Sequence, residues 1–375
     1  MNAFCFLILI SICFIILYSF LILYFLNGWK KIREFHTPEQ DAEIFVSIIV
    51  PFRNESDMIR KNFTALINQD YPASHLEIIY VDDHSDDDSP GQLRSIIDEY
   101  SHVRLIKPDN SIYGKKAAIL AGVKDSKGEL LLFTDADCFP VRRWASTMAD
   151  FFMQHRPVMI SGPVLMQEKK DFFSRFQSLE FLSLVGSGAG SFGTGNPVLC
   201  NGANIGFDRN IYLQYYRNIK PEIPSGDDIF MMLTLKLKYQ TSMKFIKSMH
   251  AVVYTDPVKT LPGFLNQRIR WASKSRHYRD FDIIFTAFTV FCINLLILIL
   301  AGISLDNWST LIVLAAVFCF KLAVDYLLLH SVSLFFGRKK NFGLFLLSEV
   351  LYPVYSVFSA VAGILITPSW RNRNT

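Results

Sequence analysis

The sequence predicts an α/β domain, a parallel sheet covered by helices, carried by one N-terminal and about three C-terminal transmembrane helices. Two patterns point to it. Between about 45 and 255, apolar runs alternate with helix-like stretches, the mark of strands and crossover helices. One long apolar segment precedes this polar middle and three follow it.

In order, Phe45 to Val50 predicts a strand, Asp57 to Asn68 a helix, Leu76 to Val81 a strand and Gln92 to Tyr100 a helix. Val103 to Ile106, Leu130 to Phe133 and Val158 to Ile160 add strands, with helices over Lys115 to Val123 and Arg142 to Gln154. The segment from Phe4 to Leu26 carries no charge and is long enough for a hydrocarbon core of about 30 Å. A cleaved signal peptide competes with a span here, but the segment lacks a basic start and a small-residue cleavage site. Ile283 to Leu305, Leu311 to Phe336 and Phe342 to Ile366 are each about one tilted span long. The expected organisation is a helix over 1–28, a cytosolic domain over 29–281 with interfacial helices near 171–185 and 259–278, and three spans over 282–370.

With 51% hydrophobic residues in 375, the chain is too apolar for an ordinary soluble enzyme, and its polar middle is too long for a pure transporter. The net charge of +4 is small and its cations are dispersed, which excludes a nucleic-acid footprint. Cations gather instead at Lys30 to Arg33, Arg268 to Arg279 and Arg338 to Lys340, while Ser304 to Thr310 has none. By the positive-inside rule the polar domain faces the cytosol, and Arg371 and Arg373 dissent. The expected location is the plasma (inner) membrane. Six cysteines without a C-x-x-C pair indicate neither a disulfide framework nor a zinc site.

Four motifs stand in order along the middle: Val81-Asp82-Asp83, Thr134-Asp135-Ala136-Asp137, Ser225-Gly226-Asp227-Asp228 and Gln267-Arg268-Ile269-Arg270-Trp271. The first two follow apolar strands directly, and ligands of open α/β sheets bind at that carboxyl edge. Asp82-Asp83 fits a turn or helix cap as well as a ligand site, and Asp86, Asp87 and Asp88 read as a solvated turn and helix start. Asp135 and Asp137, one residue apart at a strand mouth, suit a hard cation such as Mg²⁺ or Mn²⁺; capping is the plainer alternative. Asp227 and Asp228 open a helix-like run from Ile229 to Leu237, where the dipole favours negative charge. Capping explains one, and the other, Asp228, is a candidate general base. Arg270 and Trp271 suit a diphosphate clamp and a sugar platform, or a simple membrane anchor.

Two further segments stay open. Gly186 to Gly195, rich in glycine without a phosphate-loop order, reads as a mobile segment near an acceptor or as a plain linker. Phe172, Phe173, Phe176, Leu179 and Leu182 recur near helical spacing, as in an interfacial or a core-facing helix.

These motifs resemble the membrane-bound family 2 glycosyltransferases, whose fold is the Rossmann-like GT-A fold and which include cellulose, chitin and hyaluronan synthases and ceramide glucosyltransferases. The likeness runs from about Val46 to Trp271. Val46-Ser47-Ile48-Ile49-Val50-Pro51-Phe52-Arg53-Asn54-Glu55 is similar to the family's opening strand and nucleotide loop, Gly114-Lys115-Lys116-Ala117-Ala118 to its lysine segment, and Asn201-Gly202-Ala203-Asn204 to its acceptor-side loop. The resemblance implies that Pro51, Arg53, Glu55 and Asp83 line a uridine pocket and that Lys115 lies near the nucleotide or its phosphates. It implies that Asp135 and Asp137 hold the metal, with Asp135 also beside the nucleotide, and that Asp228 is the base. Gln267, Arg270 and Trp271 are implied to close over diphosphate and acceptor. Asp227 departs from the family, where Glu is common.

The activity implied is inverting transfer from a nucleotide-sugar, a UDP-sugar by preference, to a lipid-linked or membrane acceptor. A processive polysaccharide synthase and exporter is the alternative within the enzyme class. Outside it stands a non-catalytic membrane subunit or a transporter, invited by Lys321, Asp325 and Glu349 at membrane depth, for which a helix-fixing salt bridge is the simpler account. Donor sugar, acceptor and any partner subunit stay open.

Overall fold

The structure, a computed structural model, describes residues 3–36, 44–109, 113–216, 226–338, 342–366, 369–370 and 373–374. Ser225, Lys339, Lys340 and Arg371 lie outside them. In chain order, α1 (Ala3–Lys31) leads to β1 (Val46–Phe52), α2 (Ile59–Ile67), β2 (Leu76–Asp82), α3 (Ser89–Ile97), β3 (Val103–Ile106), α4 (Lys115–Asp125) and β4 (Leu130–Phe133). There follow β5 (Cys138–Pro140), α5 (Trp144–His155), β6 (Met159–Ser161), β7 (Val164–Met166), α6 (Phe172–Gly193), β8 (Ile205–Asp208), α7 (Arg209–Tyr215) and α8 (Asp227–Tyr239). The chain continues through β9 (Met243–Phe245), β10 (Val253–Thr255), α9 (Leu261–Ser273), α10 (Phe281–Ile303), α11 (Trp308–Phe335) and α12 (Phe342–Leu365). The expected strands and crossover helices are found to within a few residues, whereas β5, β7, β8, β9, β10 and α7 were not expected; α3 begins three residues early because Pro90 sits in its first turn, where a missing N–H costs nothing.

Two compact units result, one of 1–31, 168–194 and 257–375, the other of 32–167 and 195–256. The second holds a seven-stranded sheet in the order β3-β2-β1-β4-β8-β6-β9. Strands β1, β2 and β4 are buried along their whole length, so they read as continuous apolar runs. The expectation of a parallel sheet is corrected: β8 runs antiparallel to both β4 and β6, which makes the sheet mixed. Strand direction leaves no mark in a local apolar pattern, so β8 could not be oriented in advance. A small sheet, β5-β10-β7, completes this unit.

Among the described residues, the first unit contains four helices long and apolar enough to cross a membrane, α1, α10, α11 and α12. The glycine-rich stretch is neither a loop nor a linker. Most of it forms the last turns of α6, where glycine has a packing reason: a Cβ on Gly190 would collide with the Phe25 carbonyl, one on Gly193 with the Gly28 carbonyl, and one on Gly28 with the Gly190 carbonyl. Two backbones approach as only small residues allow. Helix α6 turns Phe176, Phe181 and Leu182 inward and leaves Phe172 49% exposed, so the aromatic repeat is chiefly core-facing.

This contact gives a test of sign. Glycine to alanine in an open helix gains up to about 1 kcal/mol of helix propensity, as expected for Gly302→Ala, where a Cβ meets nothing. Gly190→Ala should instead cost about 1–3 kcal/mol through overpacking. Detergent unfolding midpoints moving in opposite directions check it, and a stabilised Gly190→Ala would refute the close contact.

Candidate active site

In the second unit, β1 and β2 end side by side with Phe52 opposite Asp82, which brings their following loops together. Arg53 staples the two loops. Its Nη1 donates to the carbonyls of Asp83, at 2.9 Å, and His84, and its Nη2 to Asp86 Oδ2 at 2.6 Å. Arg53 Nε is buried and has no partner among the described residues. Both loops carry a non-glycine residue in the left-handed region, Asn54 at φ 53° and His84 at φ 57°, a strain that such loops hold at functional sites. Glu55 donates its N–H to Ser89 Oγ at 2.8 Å, and Pro51 pairs with Val81 inside the sheet.

The two acidic residues at the end of β2 do different things. Asp82 accepts from Ser85 N at 2.8 Å, an ordinary turn. Asp83, buried, accepts from Gly114 N at 2.8 Å and so joins the loop after β2 to the start of α4. Gly114 adopts φ 101°, which only glycine takes readily. Asp86 is largely exposed against Arg53, and Asp87 accepts from Ser56 N at 2.9 Å, so these are turn residues as expected.

From α4, Lys115 Nζ donates to Asp135 Oδ1 at 2.5 Å. Burial alone would lower the Lys115 pKa, but Asp135, Asp227 and Asp228 together hold it above the usual lysine value. The second and third motifs therefore act on one ammonium group. Asp135, Asp137 and Cys138 offer ligand atoms within 4.8 Å of one another. Cys138 Sγ donates to Asp137 Oδ1 at 3.4 Å, and burial, with Asp137 and Asp135, pushes the thiol pKa up, so the donors on offer are carboxylate oxygens.

Asp227 and Asp228 begin α8. Asp228 Oδ1 accepts from Ile229 N at 2.8 Å and Oδ2 from Gly202 N at 3.0 Å, which ties the base candidate to the Asn201–Asn204 loop. Asn204 itself serves the scaffold: it accepts from Trp144 Nε1 at 2.9 Å and donates to the carbonyls of Pro163 and Ala251, each at 2.8 Å. A small cleft opens here, lined by Ile119, Phe133, Gly202, Tyr212, Asp227 and Asp228. Tyr212 stays a phenol, because burial and then Asp227 raise its pKa.

Gln267, Arg270 and Trp271 stand on α9, in the first unit. Gln267 Oε1 accepts from Arg268 Nη1, and the Trp271 ring lies 6.2 Å from that of Phe181.

Residues 47–215 match the family described as Glycosyl transferase family 2. Over these residues the chain is similar to the family 2 glycosyltransferases. The glycosyltransferase AglE of Haloferax volcanii is 35% identical over 100 residues, 27% of this chain and 33% of that protein. A beta-monoglucosyldiacylglycerol synthase of Trichormus variabilis is 31% identical over 106 residues, 28% of this chain and 23% of that one. Both matches span a third or less of the relative's length. The solved mannosyltransferase PcManGT of Pyrobaculum calidifontis, in complex with GDP-Man and Mn²⁺, shares the fold: TM-score 0.57 at 19% identity, covering 95% of this chain and 99% of that one.

Within residues 47–215, one site residue escaped the sequence reading. Asn62 of α2, fully buried, donates to the carbonyls of Asp135, at 3.2 Å, and Cys138, at 2.7 Å, and accepts from Tyr80 OH at 2.8 Å. It braces the turn that presents Asp135 and Asp137. The available signal was an amide on the same helix face as Ile59, Phe63 and Leu66. Asn62→Ala strands the Tyr80 hydroxyl and takes a donor from two carbonyls, of which that of Asp135 keeps the Cys138 N–H at 3.0 Å; a group left unpaired costs about 1–3 kcal/mol. Chemical denaturation of the variant should show at least one such increment, and unchanged stability would contradict the brace.

Proposed function

We propose that this chain is an inverting glycosyltransferase that moves a sugar from a nucleotide-sugar, in the first instance a UDP-sugar, onto a lipid-linked or membrane-associated acceptor at the cytosolic face of the plasma (inner) membrane. One observation carries the reading: at the carboxyl edge of the sheet Lys115 donates to Asp135 at 2.5 Å, and Asp135, Asp227 and Asp228 all act on that one ammonium group.

Each residue then has a task. Pro51, Arg53, Glu55 and Asp83 surround the nucleoside, and the unpaired Arg53 Nε offers a donor to one of its oxygens. Lys115 places a positive charge beside the diphosphate. Asp228 takes the proton of the acceptor hydroxyl, whose oxygen bonds to the anomeric carbon as the bond from that carbon to the diphosphate oxygen breaks. Attack opposite the leaving group inverts the configuration. Gln267, Arg270 and Trp271 enter this reading through their motif alone.

Asp135 and Asp137 would hold a divalent ion, and their hard oxygen donors fit Mg²⁺ or Mn²⁺. Such an ion, when bound, offsets the charge growing on the departing diphosphate. Four membrane-length helices support a membrane acceptor.

The test uses full-length protein purified in detergent and supplied with Mn²⁺ or Mg²⁺ and a panel of UDP-sugars, scored for UDP release with and without extracted membrane lipids. Lipid-stimulated release that EDTA abolishes is the expected result. Absence of release with every sugar, from folded protein, would overturn the UDP-sugar assignment, and product chains of many sugars would replace single transfer by a processive synthase.

A further inference from the structure

The motif on α9 is read through Gln267, Arg270 and Trp271, and Arg268 is passed over. We propose that Arg268, held by Glu180, is a positioning residue that sets the side chains of Gln267 and Trp271 for the transfer; this rests on the reading that those two residues take part in it.

Arg268 is 5% exposed, an unusual place for a guanidinium. Glu180 of α6, likewise buried, meets it with both oxygens, Oε1 accepting from Nε at 3.0 Å and Oε2 from Nη2. That bidentate pair fixes the plane of the guanidinium. The guanidinium also lies over two rings, with its carbon 4.3 Å from the Phe264 centroid and 4.4 Å from the Trp271 centroid. The remaining terminal nitrogen, Nη1, donates to Gln267 Oε1.

Charge compensation alone would need only Glu180. The rest of the arrangement goes to the motif. Adjacent residues on a helix do not face each other, so the Gln267 side chain is drawn across to Arg268 by that hydrogen bond. Arginine has donors and no acceptor, so the amide must present its oxygen to Arg268, which leaves the NH₂ group as the one Gln267 offers elsewhere. That polarity suits an anionic oxygen such as those of a diphosphate. Trp271, one helical turn on, has its indole plane set by stacking against the same guanidinium. Lysine, a point charge without a plane, could replace the charge but neither the fork nor the stack.

The experiment compares Arg268→Lys and Glu180→Gln in the full-length protein, each also in a Gln267→Ala, Trp271→Ala background, reading UDP release, unfolding midpoint and indole emission. Positioning predicts that each single change lowers kcat by about 10–100-fold, as small misplacements do. It also predicts a shift in the part of the emission that Trp271→Ala removes, and little further loss of kcat in the double-alanine background, because coupled residues are non-additive. An unchanged kcat with a lowered midpoint, or an equal loss of kcat in both backgrounds, would overturn it. If Gln267→Ala, Trp271→Ala itself releases UDP at the wild-type rate, the underlying assignment of the motif fails, and the proposal with it. Glu180→Gln keeps the volume and the hydrogen-bonding oxygen, so it serves if Arg268→Lys does not fold.

Discussion

Asp228→Asn is expected to lower kcat by about 10²–10⁴-fold, the range that loss of a general base produces. The nearly isosteric change keeps the start of α8 but removes the proposed proton acceptor. One of the two backbone N–H groups held by Asp228, that of Gly202 or Ile229, then faces an amide NH₂, which costs about 1–3 kcal/mol of stability. Stability and activity must therefore be measured together. If Asp228 acts only as base, the loss sits in kcat while donor KM stays close to wild type, because the proton moves in the transition state. Asp227→Asn should behave differently: Asp227 acts on Lys115 and Tyr212, so its loss should weaken donor binding more than it slows the chemistry. Turnover of Asp228→Asn within tenfold of wild type would remove Asp228 from the base role.

How far these features could be read beforehand follows from how local their causes are. Strands β1, β2 and β4 were legible because burial along their whole length makes an uninterrupted apolar run, and Asp83 and Asp135 stand where such runs stop. The spans were legible for the same reason, length and composition alone. The small β5-β10-β7 sheet was not, since three-residue strands leave no period to count. Gly190 and Gly193 misled because glycine marks both a loop and a close helix contact, and only the partner, Phe25 or Gly28 on α1, decides between them. Arg268 was hidden for a related reason: a charged residue beside apolar spans reads as an anchor until its carboxylate, 88 positions away, is known.

The largest effect on stability is expected in the membrane helices, at Lys321. Its ammonium group is 1% exposed on α11 and donates to Asp325 Oδ2 at 2.7 Å, one turn along, and to Glu349 on α12. Tyr18 of α1 donates to Asp325 Oδ1 at 2.7 Å, so three helices join in one cluster. Lys321→Met leaves two carboxylates facing each other in a buried place, and removing one partner of a buried ion pair costs about 3–5 kcal/mol. The loss should appear as a much earlier unfolding midpoint when SDS is titrated into mixed micelles. Replacing the whole cluster, Lys321→Met with Asp325→Leu, Glu349→Leu and Tyr18→Phe, removes every group that needs a partner, and such substitutions are commonly neutral or stabilising by about 1–4 kcal/mol. A quadruple variant at or above wild-type stability, and still releasing UDP from its donor, would make the cluster a device for helix registry. A quadruple variant that is stable but inactive would mean that these charges serve the reaction or the passage of an ion, and the salt-bridge account would fall.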